Sequence, residues 1–300
     1  MPTPVVAVVL CLVWSSAFVA VKLALRDAPA PAFAALRTVG AVPPLLLALV
    51  LRDAAGLRAA LRQRRVHALG AVLGAVYIAT FLALQTAGFA LAGVGFGAVL
   101  IYAQPLLVAL LGRAVLGERL RPRQVAGLLT GWAGVALAVL GELTGAGDAP
   151  VGRAAMLFLG AAVCFAVGTV VVKARSGPCG VPLAPALLLA LTYGSVPLVA
   201  LALADDRPVH WTGTLLLCTA YTAGVSTAGG YLLQFALLQR GEAGVVSSYM
   251  FAVPVLAAAY GVVVFDERLS SGLVLGGAAV AVGILLVTVP ARAPAVQEGP

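Results

Sequence analysis

The sequence predicts an all-α membrane protein: ten transmembrane helices in two inverted five-helix repeats. Three observations predict it. Of 300 residues, 62% are hydrophobic and only 10% charged, with a mean hydropathy of +1.08, whereas a soluble domain is about a quarter charged. The apolar residues fall into long runs with short gaps between them, and the second half of the chain repeats landmarks of the first at a fixed offset.

A bilayer-spanning helix needs about 20 mostly apolar residues. The runs are Val5 to Val21, Ala32 to Leu51, Ala68 to Gly88, Gly93 to Leu111 and Gln124 to Leu143, then Ala154 to Val172, Leu183 to Ala204, Leu215 to Leu238, Ala243 to Phe265 and Leu273 to Val289. They lack the alternating pattern of a barrel strand, so helices, which satisfy their own backbone in lipid, are expected. Ten spans leave no room for a large soluble domain. The first run is read as an uncleaved span, because no basic residue precedes Val5, Leu10 is too large for the position before a lipidated Cys11, and Lys22 intervenes before Ala28-Pro29-Ala30.

Charge sets the direction. With the N-terminus inside, the cytoplasmic gaps hold Arg52, Arg58, Arg62, Arg64, Arg65, Arg113, Arg119, Arg121, Arg123, Lys173, Arg175, Arg240 and Arg292. The opposite gaps hold only Lys22, Arg26, Arg153, Arg207 and Arg268. Both termini are therefore expected in the cytoplasm. The net charge of +8 is explained by this placement, and a nucleic-acid partner is not expected.

An offset of 149 residues brings Pro105 onto Pro254, Gly112 onto Gly261, Glu118-Arg119-Leu120 onto Glu267-Arg268-Leu269, Gly127 onto Gly276, Gly134 onto Gly283 and Gln85 onto Gln234. At an offset of 151, Val19-Ala20-Val21-Lys22 meets Val170-Val171-Val172-Lys173. The expected units are residues 1–146 and 147–300. Five spans is an odd number, so the second unit runs through the membrane in the opposite sense, and the Glu-Arg-Leu loop is arginine-rich in one copy only. Inverted repeats hold a substrate near the midplane between their halves.

Taken together, the stretch from Trp14 to Lys22, Arg37 in span 2, and the twice-repeated Pro and Glu-Arg-Leu with downstream glycines resemble the EamA group of the drug/metabolite transporter superfamily. The resemblance covers Val5 to Val289. It implies a central cavity lined mainly by spans 1, 3, 4, 6, 8 and 9, and export of small metabolites such as amino acids from bacteria. Span 6 carries Cys164-Phe165 where span 1 carries Val13-Trp14, so the aromatic motif differs between the halves.

Polar groups inside apolar spans point to a cavity, because they are costly against lipid. The candidates for substrate binding are Trp14, Ser15, Ser16, Arg37, Tyr77, Gln85, Tyr102, Tyr231, Gln234 and Tyr249, with Gln104, Ser247 and Ser248 beside them. Tyr belts and interhelical hydrogen bonds are the alternative reading for each. Arg37 either snorkels outward or faces the interior, so an anion-binding and a structural role both stay open. Pro105 and Pro254 each remove a helical hydrogen bond and are the candidate bending points of an alternating-access cycle. Glu118 and Glu267 are expected to cap helices or pair with arginines, and Gly70, Gly74, Gly127 and Gly131 to let helices approach.

The four cysteines are too scattered for a metal or redox site, and no cofactor is expected. Partners are the lipid bilayer and a small-molecule metabolite, zwitterionic or neutral because the aromatic and amide set carries no charge; a small dianion or a phosphorylated sugar would need Arg37 and Lys22 to reach the site. A channel is the rival reading. An intramembrane enzyme built on Ser226 lacks a base, since His67 and His210 both lie at span ends.

Overall fold

The computed structural model describes residues 3–117, 120–146, 150–175, 180–239 and 252–288, and among these there is no strand. Glu118, Arg119, Cys179, Ser247, Ser248 and Tyr249 lie outside the described residues. The order is α1 (Thr3–Ala24), α2 (Ala30–Leu61), α3 (Arg64–Val72), a π-helix π1 (Leu73–Thr80), α4 (Phe81–Leu91), α5 (Val94–Ile101), α6 (Gln104–Leu116), α7 (Pro122–Ala146) and α8 (Pro150–Arg175). It continues with α9 (Leu183–Leu203), α10 (Gly213–Ala220), a second π-helix π2 (Tyr221–Gly229), α11 (Gly230–Gln239), α12 (Ala252–Phe265) and α13 (Ser271–Thr288).

Seven described stretches are long and apolar enough to cross a membrane: Val5–Ala24, Ala30–Leu61, Arg64–Leu91, Val94–Val115, Pro122–Leu143, Pro150–Arg175 and Leu183–Leu203. Two shorter apolar helices follow at Ala252–Phe265 and Ser271–Val287. Large apolar side chains cover the outside, with Leu203 81%, Val263 79% and Leu51 77% exposed. Such a surface suits hydrocarbon and not water. The chain is an all-helical, multi-pass membrane protein.

Several runs expected as single helices are interrupted. The second breaks at Asp53, whose carboxylate accepts from the Gly56 amide at 2.8 Å and so caps a fresh helical segment that carries Arg58. The third and eighth each contain a π segment, where hydrogen bonds reach five residues back. Thr80 follows that spacing with its side chain, donating to the Ala75 carbonyl at 2.8 Å. Shifted by 149, Leu73–Thr80 falls inside Tyr221–Gly229. The fourth run parts at Tyr102 and Ala103, with Pro105 in the first turn of α6. Pro254 is buried in the first turn of α12.

Helices meet over small residues, since without a water-driven force close van der Waals contact is what holds them in lipid. A Cβ on Gly134 would stand 2.6 Å from the Gly276 carbonyl, and one on Gly127 would stand 2.7 Å from that of Gly283. Helices α7 and α13 therefore run antiparallel with their backbones touching. Gly70 and Gly74 fit the same way against Ala186 and Ala190 of α9. Inside the bundle Phe33, Tyr77, Phe89 and Phe158 are fully buried.

Candidate functional site

Buried polar and aromatic side chains converge at mid-bundle, where α1, α2, α4, α8, π2 and α11 meet the break between α5 and α6. The break aims Tyr102 and Gln104 inward, because a residue leaving one helix and one entering the next need not follow a single helical stripe. Tyr102 meets Phe18 of α1 edge-on at 6.1 Å. Trp14, one turn earlier, meets Phe165 edge-on at 5.9 Å and Tyr231 at 6.4 Å, and its indole N–H donates to the Ser226 carbonyl at 3.4 Å. Gly230 makes room for it: a Cβ there would be 2.6 Å from Trp14 Nε1.

Arg37 enters this space from α2. It is 6% exposed, and its Nε donates to Thr227 Oγ1 at 2.8 Å, Nη1 to Gln85 Oε1 at 3.3 Å and Nη2 to Ser226 Oγ at 3.5 Å. The side chain thus faces the interior and does not snorkel. Gln104 is also 6% exposed, and its Oε1 is buried with no described partner.

Between these groups lies a cavity of about 30 Å³, lined by Trp14, Ala17, Phe18, Arg37, Phe81, Gln85, Ile101, Tyr102, Gln104, Phe165, Ser226 and Tyr231. That is room for about two waters. Of the residues singled out from the sequence, Trp14, Arg37, Gln85, Tyr102, Gln104 and Tyr231 share it. Tyr77 and Gln234 stand behind it, the Tyr77 hydroxyl donating to Gln234 Oε1 at 2.7 Å and its ring 5.2 Å from Tyr231. Ser15 turns its hydroxyl back to the Leu12 carbonyl. Ser16 faces elsewhere, 2.6 Å from the Tyr221 hydroxyl, on a crevice of about 480 Å³ at the side of the bundle. Tyr249 is outside the described residues.

Phe81, Phe165 and Thr227 were not singled out. Phe165 had a signal, since the 151-residue offset places it on Trp14. Ser226 enters as a hydroxyl beside a guanidinium, not beside a base. Arg37, open from the sequence to either orientation, reaches the cavity wall and adds a positive charge to the aromatic and amide set.

Comparison with known proteins gives a consistent result. Over 286 residues the chain is 28% identical to "Uncharacterized transporter YvbV" of Bacillus subtilis (strain 168), covering 95% of this chain and 90% of that protein. It is 28% identical to "Aromatic amino acid exporter YddG" of Ancylobacter novellus, with 84% and 90% covered. It is also 28% identical to "Probable amino-acid metabolite efflux pump" of Escherichia coli (strain K12), with 64% and 66% covered. A crystal structure 23% identical superposes with a TM-score of 0.67 over 95% of both chains, which shows the fold alone. The family model described as "EamA-like transporter family" matches twice, at residues 2–140 and 152–289. The chain belongs to the EamA-like transporter family.

Proposed function

We propose that this protein is a secondary transporter of small zwitterionic or neutral metabolites, amino acids foremost, working as an exporter in the bacterial cytoplasmic membrane. Both termini lie in the cytoplasm, and ten helices form two inverted halves, residues 1–146 and 147–300. Substrate alternates between the two sides of the membrane through the central cavity, in contact with Trp14, Gln85, Tyr102, Tyr231 and Arg37, with Tyr77, Gln234, Ser15, Ser16 and Tyr249 around them.

The observation that carries this reading is the small, aromatic-walled cavity at mid-bundle. A continuous pore would conduct; a small pocket with aromatic walls and a few polar groups binds, as ligand sites do. The names of two relatives, an amino-acid metabolite efflux pump and an aromatic amino acid exporter, favour the same substrate class.

Support for inverted halves comes from the α7 and α13 contact. Under the 149-residue offset Gly127 becomes Gly276 and Gly283 becomes Gly134, so the Gly127–Gly283 approach turns into the Gly134–Gly276 approach, which also occurs. A contact that maps onto another contact between antiparallel helices is what a two-fold axis in the membrane plane produces. The matched π segments of the third and eighth runs fit the same axis. A non-enzymatic role is favoured by Ser226, whose hydroxyl meets Arg37.

Counterflow tests the proposal. Proteoliposomes preloaded with unlabelled L-phenylalanine should transiently accumulate the labelled compound, an overshoot that a channel does not give. Uptake without any overshoot for a panel of amino acids would remove the carrier reading.

A further inference from the structure

Arg37 is a buried cation whose described partners are all neutral: Thr227, Gln85 and Ser226. A buried charge left without an opposite one is costly, and among the described residues no carboxylate pairs with it. Its three bonds are unequal. The Nε bond to Thr227, at 2.8 Å, is well formed, whereas those from Nη1 and Nη2, at 3.3 and 3.5 Å, are long. Thr227 therefore fixes the guanidinium while its outer edge, the edge that takes a carboxylate by two parallel bonds, is weakly committed. On the same cavity Gln104 Oε1 is a buried acceptor without a described donor. A cation edge and an orphan acceptor on one cavity ask for a ligand that brings an anion and an N–H together.

We propose that Arg37 and Gln104 form a head-group site for a substrate bearing one carboxylate next to an ammonium, the carboxylate replacing Gln85 and Ser226 on Nη1 and Nη2 and the ammonium donating to Gln104 Oε1. The apolar body rests on Trp14, Phe165 and Tyr231. The inference rests on the transport reading of the cavity and narrows it: neutral metabolites leave Arg37 uncompensated, and dicarboxylates bring a charge with no partner. The site is one-sided, because the 149-residue offset places Ala186 where Arg37 stands. At about 30 Å³ the cavity must widen to admit such a ligand, so binding is expected to shift the protein away from this conformation.

The test uses the purified full chain and four probes that share a benzyl body: L-phenylalanine, 3-phenylpropionate, phenethylamine and L-phenylalaninamide. Thermal stabilisation reads binding. Phenylalanine should stabilise best and 3-phenylpropionate next, with the amine and the amide at least about tenfold less potent. Arg37→Met should abolish the preference for the acids, Arg37→Lys should keep part of it, and Gln104→Leu should remove the advantage of phenylalanine over 3-phenylpropionate. If Arg37→Met does not fold, the lysine and Gln104 variants still decide. Amine or amide as potent as phenylalanine, or no stabilisation by either acid, would overturn the proposal. Counterflow separates it from the transport reading: acid-selective stabilisation without counterflow leaves the head-group site and removes the carrier, while counterflow indifferent to the carboxylate does the reverse.

Discussion

The Glu267 carboxylate, at the turn after α12, accepts hydrogen bonds from the backbone amides of Val94 at 2.6 Å and Gly95 at 3.1 Å, the first amides of α5. Glu267 thus caps a helix far from it in sequence, not its own. Asp266, at φ 53°, and the Glu267 amide bonded to the Gly261 carbonyl at 3.1 Å turn the chain so that the carboxylate points there. Lys22 of α1 completes the clasp, its ammonium donating to the Phe89 and Ala92 carbonyls at the end of α4, at 2.8 and 2.6 Å. An anion on amides and a cation on carbonyls both favour the helix dipoles they face. The loop between α4 and α5 is thereby pinned to α1 and α12.

If that clasp holds one end of the bundle shut, breaking it should open a path to the cavity. In a background with the four native cysteines replaced, a cysteine at Tyr102 should react several-fold faster with a membrane-impermeant thiol reagent when Glu267→Gln and Lys22→Met are added. Loss of a charge-assisted cap should also lower stability by roughly 1–2 kcal/mol. Unchanged labelling would show that the clasp is only structural.

The contact between α7 and α13 makes a sharper stability prediction. Gly134→Val places its side chain against the Gly276 carbonyl, already 2.6 Å from an ideal Cβ. Neither backbone can give way without separating the helices, so the cost is about 2–3 kcal/mol or more. Gly152→Ala, with nothing within 4 Å of its Cβ, is the matched control. Melting of the detergent-solubilised protein should fall by several degrees for the first and hardly move for the second.

Gly230→Ala tests the aromatic wall. The new methyl, 2.6 Å from Trp14 Nε1, displaces the indole, ends its bond to the Ser226 carbonyl and changes the cavity edge. Half-saturation for L-phenylalanine in counterflow should rise by about three- to tenfold, since one aromatic contact and one long hydrogen bond are worth about 1 kcal/mol together. A wild-type value would exclude Trp14 from the pocket.

The extents of most helices were legible in the sequence. The run Leu183 to Ala204 is helix Leu183–Leu203, and Val5 to Val21 lies within Val5–Ala24. Composition fixes where a chain can lie in lipid, and these ends follow it. The π segments were not legible, because shifting a hydrogen bond from four residues back to five leaves composition unchanged. Trp14, Gln85, Tyr102 and Arg37 stood out because polar groups are rare in such runs. Direction was the missing part: Trp14 and Ser16 are two residues apart, yet a turn of about 100° per residue leaves Trp14 on the cavity and sends Ser16 to Tyr221 and away from it. Phe81 was invisible for the opposite reason, being one apolar residue among many. Arg37 could be located but not oriented until Thr227, far along the chain, supplied the hydroxyl that holds it.

Pro105 gives the last prediction. Without an N–H it cannot bond to the Ile101 carbonyl four residues back, and the chain leaves α5 at Tyr102 and re-enters a helix at Gln104. The Leu106 amide bonds instead to the Ala103 carbonyl, three residues back, at 3.0 Å. Pro105→Ala restores the donor and lets α5 and α6 fuse, which stiffens a segment that must move if the cavity is to widen. It also rotates Tyr102 and Gln104. If motion is the larger effect, the maximal counterflow rate should fall by about three- to tenfold while half-saturation changes less than twofold. Pro254, its counterpart at the 149-residue offset, should behave alike. A proportional loss of binding and turnover would assign both prolines to packing around the cavity, not to its opening.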